Sequence, residues 1–518
     1  MMNPTSLKKK VMITTSRILS LNIIEEPSLE FRYGQRVIDP RVGLSVFGPI
    51  DSDLPNHPRN VSYGLVGTEQ GIAKALGFLN RSRTEIISKE YQKNNRLWIP
   101  FPGFQAAFNS QLPAKPTKVF QLNSDQLVYS SNLNEPNERA FKVVNNYIGG
   151  VEYIKNSEDE VDVIICIVPD IVYKNCRPKS KVSDGVGEKI DTRTRRQRAS
   201  GQTDLFGSYD VGMYRYSVDF RRQLKARAMV HEIPVQLVLE STLEIDEEKE
   251  VPKQERKSPL SDRAWNILTT LYYKAGGKPW KLSTSRDGVC YVGIVYRRVD
   301  FTRGNRTACS AAQMFLDTGD GVVVRGDFGP WYSEENNQFH LSKEAAKSLL
   351  KKVLSTYGSL EGKPLKEVFL HYRAWLNDEE YEGFKDACPT DVKLVCIRIR
   401  QVDNEFRLYR EGTRPVLRGT MLKASDTKCF LYTSGYKPFL ETYDGWETPQ
   451  PLRIDIQYGD EDINQVATDI LGLTKLNFNA CRLGQSNPVT IDFSDAVGEI
   501  LVSNPAIKEA NPRFKFYI

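Results

Sequence analysis

The chain has 518 residues, of which 40% are hydrophobic and 26% charged, a composition typical of a globular protein with two to four domains. No apolar run reaches the roughly 18 residues of a membrane span, and no secretory cleavage site follows the lysine-rich N-terminus. The eight cysteines never approach Cys-x-x-Cys spacing, which excludes a cysteine-based zinc or redox motif and favours free thiols. We therefore expect a cytoplasmic protein.

The net charge of +6 is compatible with nucleic-acid binding without requiring it. Its distribution is more informative, because nine basic and only three acidic residues lie between Lys174 and Arg198. This stretch is rich in Ser, Gly and Thr and shows no helical or strand periodicity. We predict a mobile basic loop over residues 174–200, either functional or simply solvated.

The first half of the chain alternates short apolar runs with amphipathic patterns. SYGLVGTEQGIAKALGFLNRS predicts a strand, a turn and a helix, while VDVIICIVPD and IPVQLVLEST predict buried strands. A Rossmann-like doubly wound domain is the natural interpretation. The turn GLVGTEQG lacks Gly-x-Gly-x-x-Gly spacing, and no GxxxxGK[ST] phosphate loop occurs, which argues against a dinucleotide or P-loop nucleotide site.

A second α/β unit follows a predicted helix that begins near Lys257, with Ser261 or Asp262 as N-cap and Gly276-Gly277 as its stop. YVGIVYRR, CSAAQMFLD and VVVRGD predict three antiparallel strands. The helix KEAAKSLLKKVLSTYG, the strand KEVFLHYRA, the helix NDEEYEGFKDA and the strand DVKLVCIRIR come next. This is the element order of an RNase H-like sheet. The predicted division is an N-terminal segment (1–34), a first α/β domain (35–276) and a second (277–518).

Several motifs in this order resemble the Argonaute family, and specifically its short prokaryotic members, which consist of MID and PIWI domains alone. IDPRVGLSVFGPID (38–51) is similar to their entry segment, and HEIPVQLVLE with RAWNILTTLYYKAGG is similar to the guide-binding part of MID. TPQPLRIDI and ILGLTKLNFNACRLGQSNPVTIDFSDAVGEIL are similar to the PIWI segment with its Leu-Thr-x-Leu-Asn signature. The resemblance implies that residues 35–276 form a MID domain and 277–518 a PIWI domain.

The resemblance implies a pocket for the guide's 5′ phosphate. The matching positions are Lys225, Gln236 and Lys274, with Arg221 one helical turn before Lys225 as a fourth candidate. A terminal phosphate carries nearly two negative charges, so charged and directional donors suit it. The family also implies a Mg²⁺ ion held against the phosphate by the C-terminal carboxylate, here that of Ile518.

Active PIWI domains hold two metal ions with a carboxylate tetrad. The first aspartate position is occupied by Val295 and the second by Ala374, whereas the fourth matches Asp495. No counterpart of the mobile glutamate stands at His340 or Leu341, although Glu334 and Glu335 are near. Two missing carboxylates leave too little negative charge for a pair of hard cations, so we expect a catalytically inactive PIWI domain.

The implied function is guide-dependent recognition without cleavage. We expect a short 5′-phosphorylated guide, with RNA preferred over DNA, and a complementary single-stranded DNA target. Short Argonautes work with a partner that carries an APAZ domain and an effector. The expected heterodimer therefore senses plasmids or phage and activates a TIR effector that depletes NAD⁺, or else a sirtuin-like or nuclease effector, with higher oligomers on activation.

Two alternatives differ in class. The chain could be an active nuclease that recruits Asp300, Asp317, Asp320 or Asp327, although FLDTGDGVVVRGD is more simply a hairpin turn. It could also be an α/β protein-binding module without a nucleic-acid role. Metal-dependent cleavage of a matched target would favour the first, and absence of co-purifying short RNA or DNA the second.

Overall fold

Helices and strands alternate along the described part of the chain. The computed structural model describes residues 20–199, 210–246, 257–298, 308–315, 321–329, 331–333, 338–359, 364–402, 407–443, 445, 447–501 and 513–518. The elements up to residue 274 are β1 Ser20–Ile23, β2 Leu29–Glu30, β3 Arg36–Val37, α1 Pro40–Val46, β4 Tyr63–Gly67, α2 Glu69–Arg81, α3 Phe104–Phe108, β5 Lys118–Gln121, α4 Ser124–Ser131, α5 Pro136–Lys155, β6 Val163–Val168, α6 Asp170–Asn175, α7 Thr192–Ala199, α8 Phe220–Ala228, β7 Val235–Leu239 and α9 Leu260–Lys274. The later elements are β8 Lys281–Leu282, β9 Val289–Arg298, β10 Ala308–Phe315, β11 Gly321–Gly329, β12 Tyr332–Ser333, β13 Gln338–Phe339, α10 Lys343–Ser359, β14 Glu367–Tyr372, α11 Asp378–Ala387, β15 Lys393–Gln401, β16 Thr420–Ser425, β17 Lys428–Leu431, β18 Leu452–Tyr458, α12 Ile463–Leu473 and α13 Val489–Leu501.

The first half of the chain folds around a parallel sheet with strand order β5-β4-β6-β7. All six residues of β6 are buried, as expected for a strand covered on both faces. Ile165 and Ile167 pack in a cluster with residues of α2, while Ile164 and Cys166 pack in another with residues of α5. The predicted Rossmann-like, doubly wound domain is confirmed.

The second half folds around a larger mixed sheet, which within the described residues runs β1-β16-β17-β18-β15-β14-β9-β10-β11. β9, β10 and β11 pair antiparallel, β14 then lies parallel to β9, and β15 lies parallel to β14. This is the RNase H-like order that the sequence predicts. The helices α10 and α11 pack on one face of this sheet through an apolar cluster that includes Val292, Leu349 and Phe384.

The described part of the predicted N-terminal segment is not a separate unit. β1 pairs with β16 at the edge of the large sheet, and β2 pairs with both β3 and β8. The carboxylate of Glu26 accepts hydrogen bonds from Arg418 (2.8 Å) and Lys475 (3.0 Å), and these two cations lower the pKa of Glu26 even though its burial opposes them. Residues 20–37 therefore pack against the second half of the chain through strand pairing and the ion pairs of Glu26.

The helix α9 connects the two halves and differs slightly from its prediction. It begins at Leu260 after Pro259, so that Ser261 and Asp262 lie within its first turn and neither is its N-cap. Its end agrees with the predicted stop, because Gly276 adopts φ +104°, a backbone conformation that glycine accepts without strain. Trp265 on this helix is fully buried and meets Phe101 edge to face at 4.9 Å.

The stretch predicted as a mobile basic loop is instead folded over its described part, residues 174–199. It contains the end of α6 and all of α7. The side chain of Asn134 donates to the carbonyls of Gly185 (3.0 Å) and Gly187 (2.9 Å), and Arg139 donates to that of Ser180 (3.4 Å). Residues 174–199 are therefore ordered by hydrogen bonds from polar side chains that precede them in the chain, and not by a helical or strand pattern in their own sequence.

The sequence favours free thiols and contains no apolar run long enough to span a membrane. The seven cysteines with described side chains are all free thiols. Among the described residues, no helix is both long enough and apolar enough to cross a membrane.

Gly293 offers a test of how α13 packs against β9. A Cβ atom at Gly293 would clash with the backbone carbonyl of Thr490 on α13. We expect Gly293→Ala to lower the free energy of unfolding by about 1–3 kcal/mol, the usual cost of overpacking. Urea denaturation followed by circular dichroism measures it.

The matched control is Gly149→Ala. Gly149 lies inside α5, and the space that an added methyl group would fill is open. Alanine there should leave stability unchanged or raise it by about 0.5–1 kcal/mol. Equal effects of the two substitutions would contradict the close approach of α13 to β9.

Candidate nucleic-acid interface

A pocket of about 310 Å³ lies where the parallel sheet meets α8, α9 and the last residue of the chain. Its wall includes Val168 and Leu239, the final residues of β6 and β7. Ligands of open α/β sheets bind at this carboxyl edge. The structure brings together here all five residues predicted for the phosphate site: Arg221, Lys225, Gln236, Lys274 and Ile518.

Two helices and one strand position the predicted side chains. Asp219 caps α8 by accepting from the backbone N–H of Arg222 (3.1 Å), and Arg221 and Lys225 follow one turn apart on the same face. Gln236 is the second residue of β7, and Lys274 is the last residue of α9. Residues far apart in sequence thereby converge on one cavity.

The two lysines are buried in the pocket wall without an acidic side chain beside them. Lys225 and Lys274 are 3% and 1% exposed, and no Asp or Glu occurs among the described lining residues. The ammonium groups donate to backbone carbonyls, that of Lys225 to Tyr517 O (3.1 Å) and that of Lys274 to Val235 O (2.8 Å). Neutral carbonyls do not compensate two buried positive charges.

The pKa values of both lysines are lowered because their charged forms are buried. Burial, followed by the positive charge of Arg221, lowers the pKa of Lys274 to about 7. Burial, Arg221 and Lys274 together lower the pKa of Lys225 well below its ordinary value. An anion in the pocket would stabilise the protonated lysines, so the pocket is electrostatically suited to a negatively charged group.

Gln236 presents a second unsatisfied group. Its amide nitrogen donates to Ile267 O (3.0 Å), whereas its side-chain oxygen Oε1 is buried and has no hydrogen-bond partner within the described structure. Buried polar atoms are normally paired, so an orphan oxygen points to a missing partner. A donor group of a ligand, a water molecule or a cation would satisfy it.

The pocket itself offers too few oxygen atoms to coordinate a Mg²⁺ ion, so a bound ligand would have to supply further oxygen atoms. Ile518 is 1% exposed and lines the pocket, so a main-chain carboxylate at this residue, as predicted, would be an oxygen donor in the same pocket as Gln236 Oε1. No group of three or more His, Cys, Asp or Glu side chains that could hold a metal occurs anywhere in the described part of the chain. Mg²⁺ characteristically takes one or two carboxylates and completes its shell with phosphate oxygens and water.

Sequence reasoning missed some polar residues of the pocket, notably Tyr173, Asn266, Thr270 and Asn479. Tyr173 lies on α6, which starts two residues after the last residue of the buried strand β6. Its ring is 43% exposed, and the guanidinium of Arg177 lies 4.2 Å from the ring centroid. Its place after a parallel strand is the signal that could have identified it.

The elements that carry or adjoin the predicted tetrad positions lie against one another. His371 of β14 is in register with Gly293 of β9, and its Nδ1 lies 2.9 Å from the hydroxyl of Thr490 at the start of α13. Gly293 contacts the backbone of the same Thr490. The strand β9, which carries the first predicted position, and the strand β14, which precedes the second, therefore both meet α13, which carries the fourth.

Side chains at these positions are apolar where they are described. Val295 on β9 is 7% exposed within an apolar cluster, and Ala374 follows the end of β14 by two residues. Asp495 lies on α13, and its side chain is outside the described part, as is that of Asp327 on β11. Asp300, Asp317, Asp320, Glu334 and Glu335 also lie outside the described residues.

A second, larger cavity of about 720 Å³ opens on the second half of the chain. Its lining is rich in polar groups, including Lys437, Arg482, Gln485 and Asn487. Arg418 organises the loops around it by donating to Gln485 O (3.2 Å) and to Thr433 O. Such a surface suits the sugar–phosphate backbone of a nucleic acid, which is contacted through charge and hydrogen bonds.

The chain is similar in sequence to a known protein. No protein-family model matches the chain. Over 274 residues it is 23% identical to the protein argonaute of Aquifex aeolicus, an alignment that covers 52% of this chain and 34% of the relative.

Solved structures agree in fold. Clostridium butyricum Argonaute bound to a guide DNA and a 19-mer target DNA superposes with a TM-score of 0.62 at 16% identity, over 96% of this chain and 55% of that one. A structure of the Aquifex aeolicus protein with externally bound siRNA gives a TM-score of 0.54 at 16% identity, again over 96% and 55%. The chain thus spans little more than half of these Argonautes. The chain is similar in sequence, over 52% of its length, to an argonaute protein, and it shares the fold of the solved Argonaute structures.

Proposed function

We propose that this chain binds a short guide strand by its 5′ phosphate and pairs it with a complementary single strand without cutting it. The observation that carries the proposal is the pocket with two buried lysines that have no acidic side chain beside them, together with the unpartnered oxygen of Gln236. A terminal phosphate supplies the missing negative charge in a volume that the pocket can hold. Arg221 at the exposed rim contacts the phosphates that follow.

We further propose that the guide is RNA and that the target is single-stranded DNA. A Mg²⁺ ion bound by the Ile518 carboxylate and Gln236 assists phosphate binding by adding positive charge. The exposed ring of Tyr173 at the rim provides a stacking surface for the first base of the guide. The site of action is the cytoplasm.

Cleavage is not part of the proposed function. Valine and alanine stand where two metal-bridging carboxylates would be required, and Val295 is buried among apolar side chains. No observation on the described residues favours relocated carboxylates. The large sheet instead provides a cleft that holds a duplex by its backbone geometry, while base pairing supplies the sequence recognition.

The lysines of the pocket give the first test. Lys225→Met with Lys274→Met keeps the apolar stems and removes both charges, so it should weaken binding of a 5′-phosphorylated guide by several kcal/mol, at about 1.5–3 kcal/mol for each charged contact. Fluorescence anisotropy with guides that carry a 5′ phosphate or a 5′ hydroxyl measures the difference. The hydroxyl guide should lose much less.

The matched control is Lys351→Met with Lys352→Met, two exposed lysines on α10. It removes the same charge from the protein and should leave both affinities nearly unchanged. Equal losses for phosphorylated and hydroxyl guides in the pocket variant would show that these lysines do not contact the 5′ phosphate.

Absence of cleavage gives the second test. Guide-loaded protein incubated with a labelled complementary strand and Mg²⁺ or Mn²⁺ should retain the strand intact on a denaturing gel. A cleavage product cut at a fixed distance from the guide's 5′ end would contradict the proposal. If the Asp495→Ala variant no longer formed this product, the chain would be an active nuclease.

The partner gives the third test. We propose that target pairing is transmitted to an APAZ-containing effector, with TIR-dependent NAD⁺ depletion as the favoured output and sirtuin-like or nuclease effectors next, in defence against plasmids or phage. A sensor without chemistry of its own must act through differential contacts with a second element. Co-expression with the neighbouring gene product should give a stable heterodimer whose NAD⁺ consumption or nucleic-acid degradation requires both guide and target. A stable monomer with neither response would exclude this part of the proposal.

A further inference from the structure

A basic surface lies beside the phosphate pocket and is not needed to bind the guide's terminus. We call residues 174–199 the basic segment. Its side chains of Lys174, Arg177, Lys179, Lys181, Lys189, Arg193 and Arg196 are exposed, and within the described structure none of them forms an ion pair. Arg195 and Arg198 differ, because they pair with Glu135 (2.8 Å) and Glu188 (2.9 Å).

The basic segment is held in place by contacts that do not involve its exposed lysines. Asn175 donates to Ser131 O (3.1 Å), and Asn134 holds the carbonyls of Gly185 and Gly187. Leu133 forms an isolated parallel β-bridge with Val186. A solvated loop needs no such anchoring, whereas a surface that receives a ligand gains from being ordered in advance.

The basic segment begins at the rim of the pocket. The backbone N–H of Phe220, the first residue of α8, donates to Cys176 O (3.0 Å), which ties the helix that carries Arg221 and Lys225 to the start of the segment. Arg177 covers the ring of Tyr173, a lining residue of the pocket. Positive charge therefore continues outward from the pocket across its rim.

From this continuity we infer that the basic segment binds the single-stranded part of the target that extends past the guide's 5′ end. This inference rests on the proposed function. A guide whose 5′ phosphate is buried in the pocket ends there, so only the complementary strand can continue beyond it. Because paired strands are antiparallel, the continuing part is the target's 3′ flank. Exposed lysines and arginines bind such a flank through its phosphates, without reading its sequence.

The test compares targets of equal length on guide-loaded protein. One target continues ten nucleotides past the guide's 5′ end and the other ten nucleotides past its 3′ end. The wild-type protein should bind the first target about fivefold more tightly or better at low salt, and this advantage should shrink as salt rises, because phosphate contacts release counterions.

Lys179→Ala with Lys181→Ala and Lys189→Ala should abolish the advantage and reduce the salt slope by about two, at roughly 0.7 for each lost single-strand contact. Guide affinity should stay unchanged. The control, Lys351→Ala with Lys352→Ala and Lys385→Ala, removes three exposed lysines from α10 and α11 and should retain the advantage.

Two outcomes would overturn the inference alone: equal affinities of the wild-type protein for both targets, or an undiminished advantage in the basic-segment variant. Failure of the wild-type protein to bind any 5′-phosphorylated guide would overturn the proposed function as well, so the two failures are distinguishable.

Discussion

The burial of two lysines without an acidic partner is the constraint on which the site depends. Lys225 donates to the carbonyl of Tyr517, a residue near the last position of the sequence, and Lys274 donates to a carbonyl of β7. One lysine of the first half is therefore satisfied only when the second half packs against it. The pocket exists at the contact between the two halves and is complete in neither half alone.

This arrangement lowers the stability of the empty protein. The pKa of Lys274 falls from an ordinary 10.5 to about 7 in the folded chain, so between these pH values the unfolded chain binds more protons than the folded one. Stability contributed by this group therefore rises with pH across that window and is lowest below it. A ligand that restores the charge of the lysines recovers this free energy and also stabilises the fold. The burial of two lysines without an acidic side chain beside them is consistent with a binding role, because strongly shifted pKa values cluster at functional sites.

The sequence predicted those parts of the fold that have strong local patterns. The continuous apolar run of β6 and the three antiparallel strands β9, β10 and β11 are long and bounded by turn residues, so pattern and structure agree. The pocket lysines were predicted from motifs, and the structure places them in one cavity with Gln236. Lys274 is buried together with the apolar residues of α9, and a buried position is unusual for a lysine.

Other features depend on distant contacts that no local pattern encodes. The strand β1 has four residues, all exposed, and is defined only by its pairing with β16, far along the chain. The order of the basic segment comes from hydrogen bonds donated by Asn134 and Arg139, which precede it in the chain. The start of α9 differs from its prediction because a distant residue supplies the cap: the backbone N–H of Ser261 donates to the hydroxyl of Ser88 (3.0 Å), so Pro259 can precede the helix without an acceptor of its own.

Proton uptake on guide binding tests the central claim most directly. At pH 8 Lys274 of the empty pocket is largely neutral, because burial lowers its pKa to about 7, whereas the 5′ phosphate is already dianionic because its second pKa lies near 6. Isothermal titration calorimetry in buffers of different ionisation enthalpy should show uptake of about one proton with a 5′-phosphorylated guide. A 5′-hydroxyl guide, or the variant that lacks both lysines, should show much less. Binding heats that are independent of the buffer for the phosphorylated guide would contradict the account.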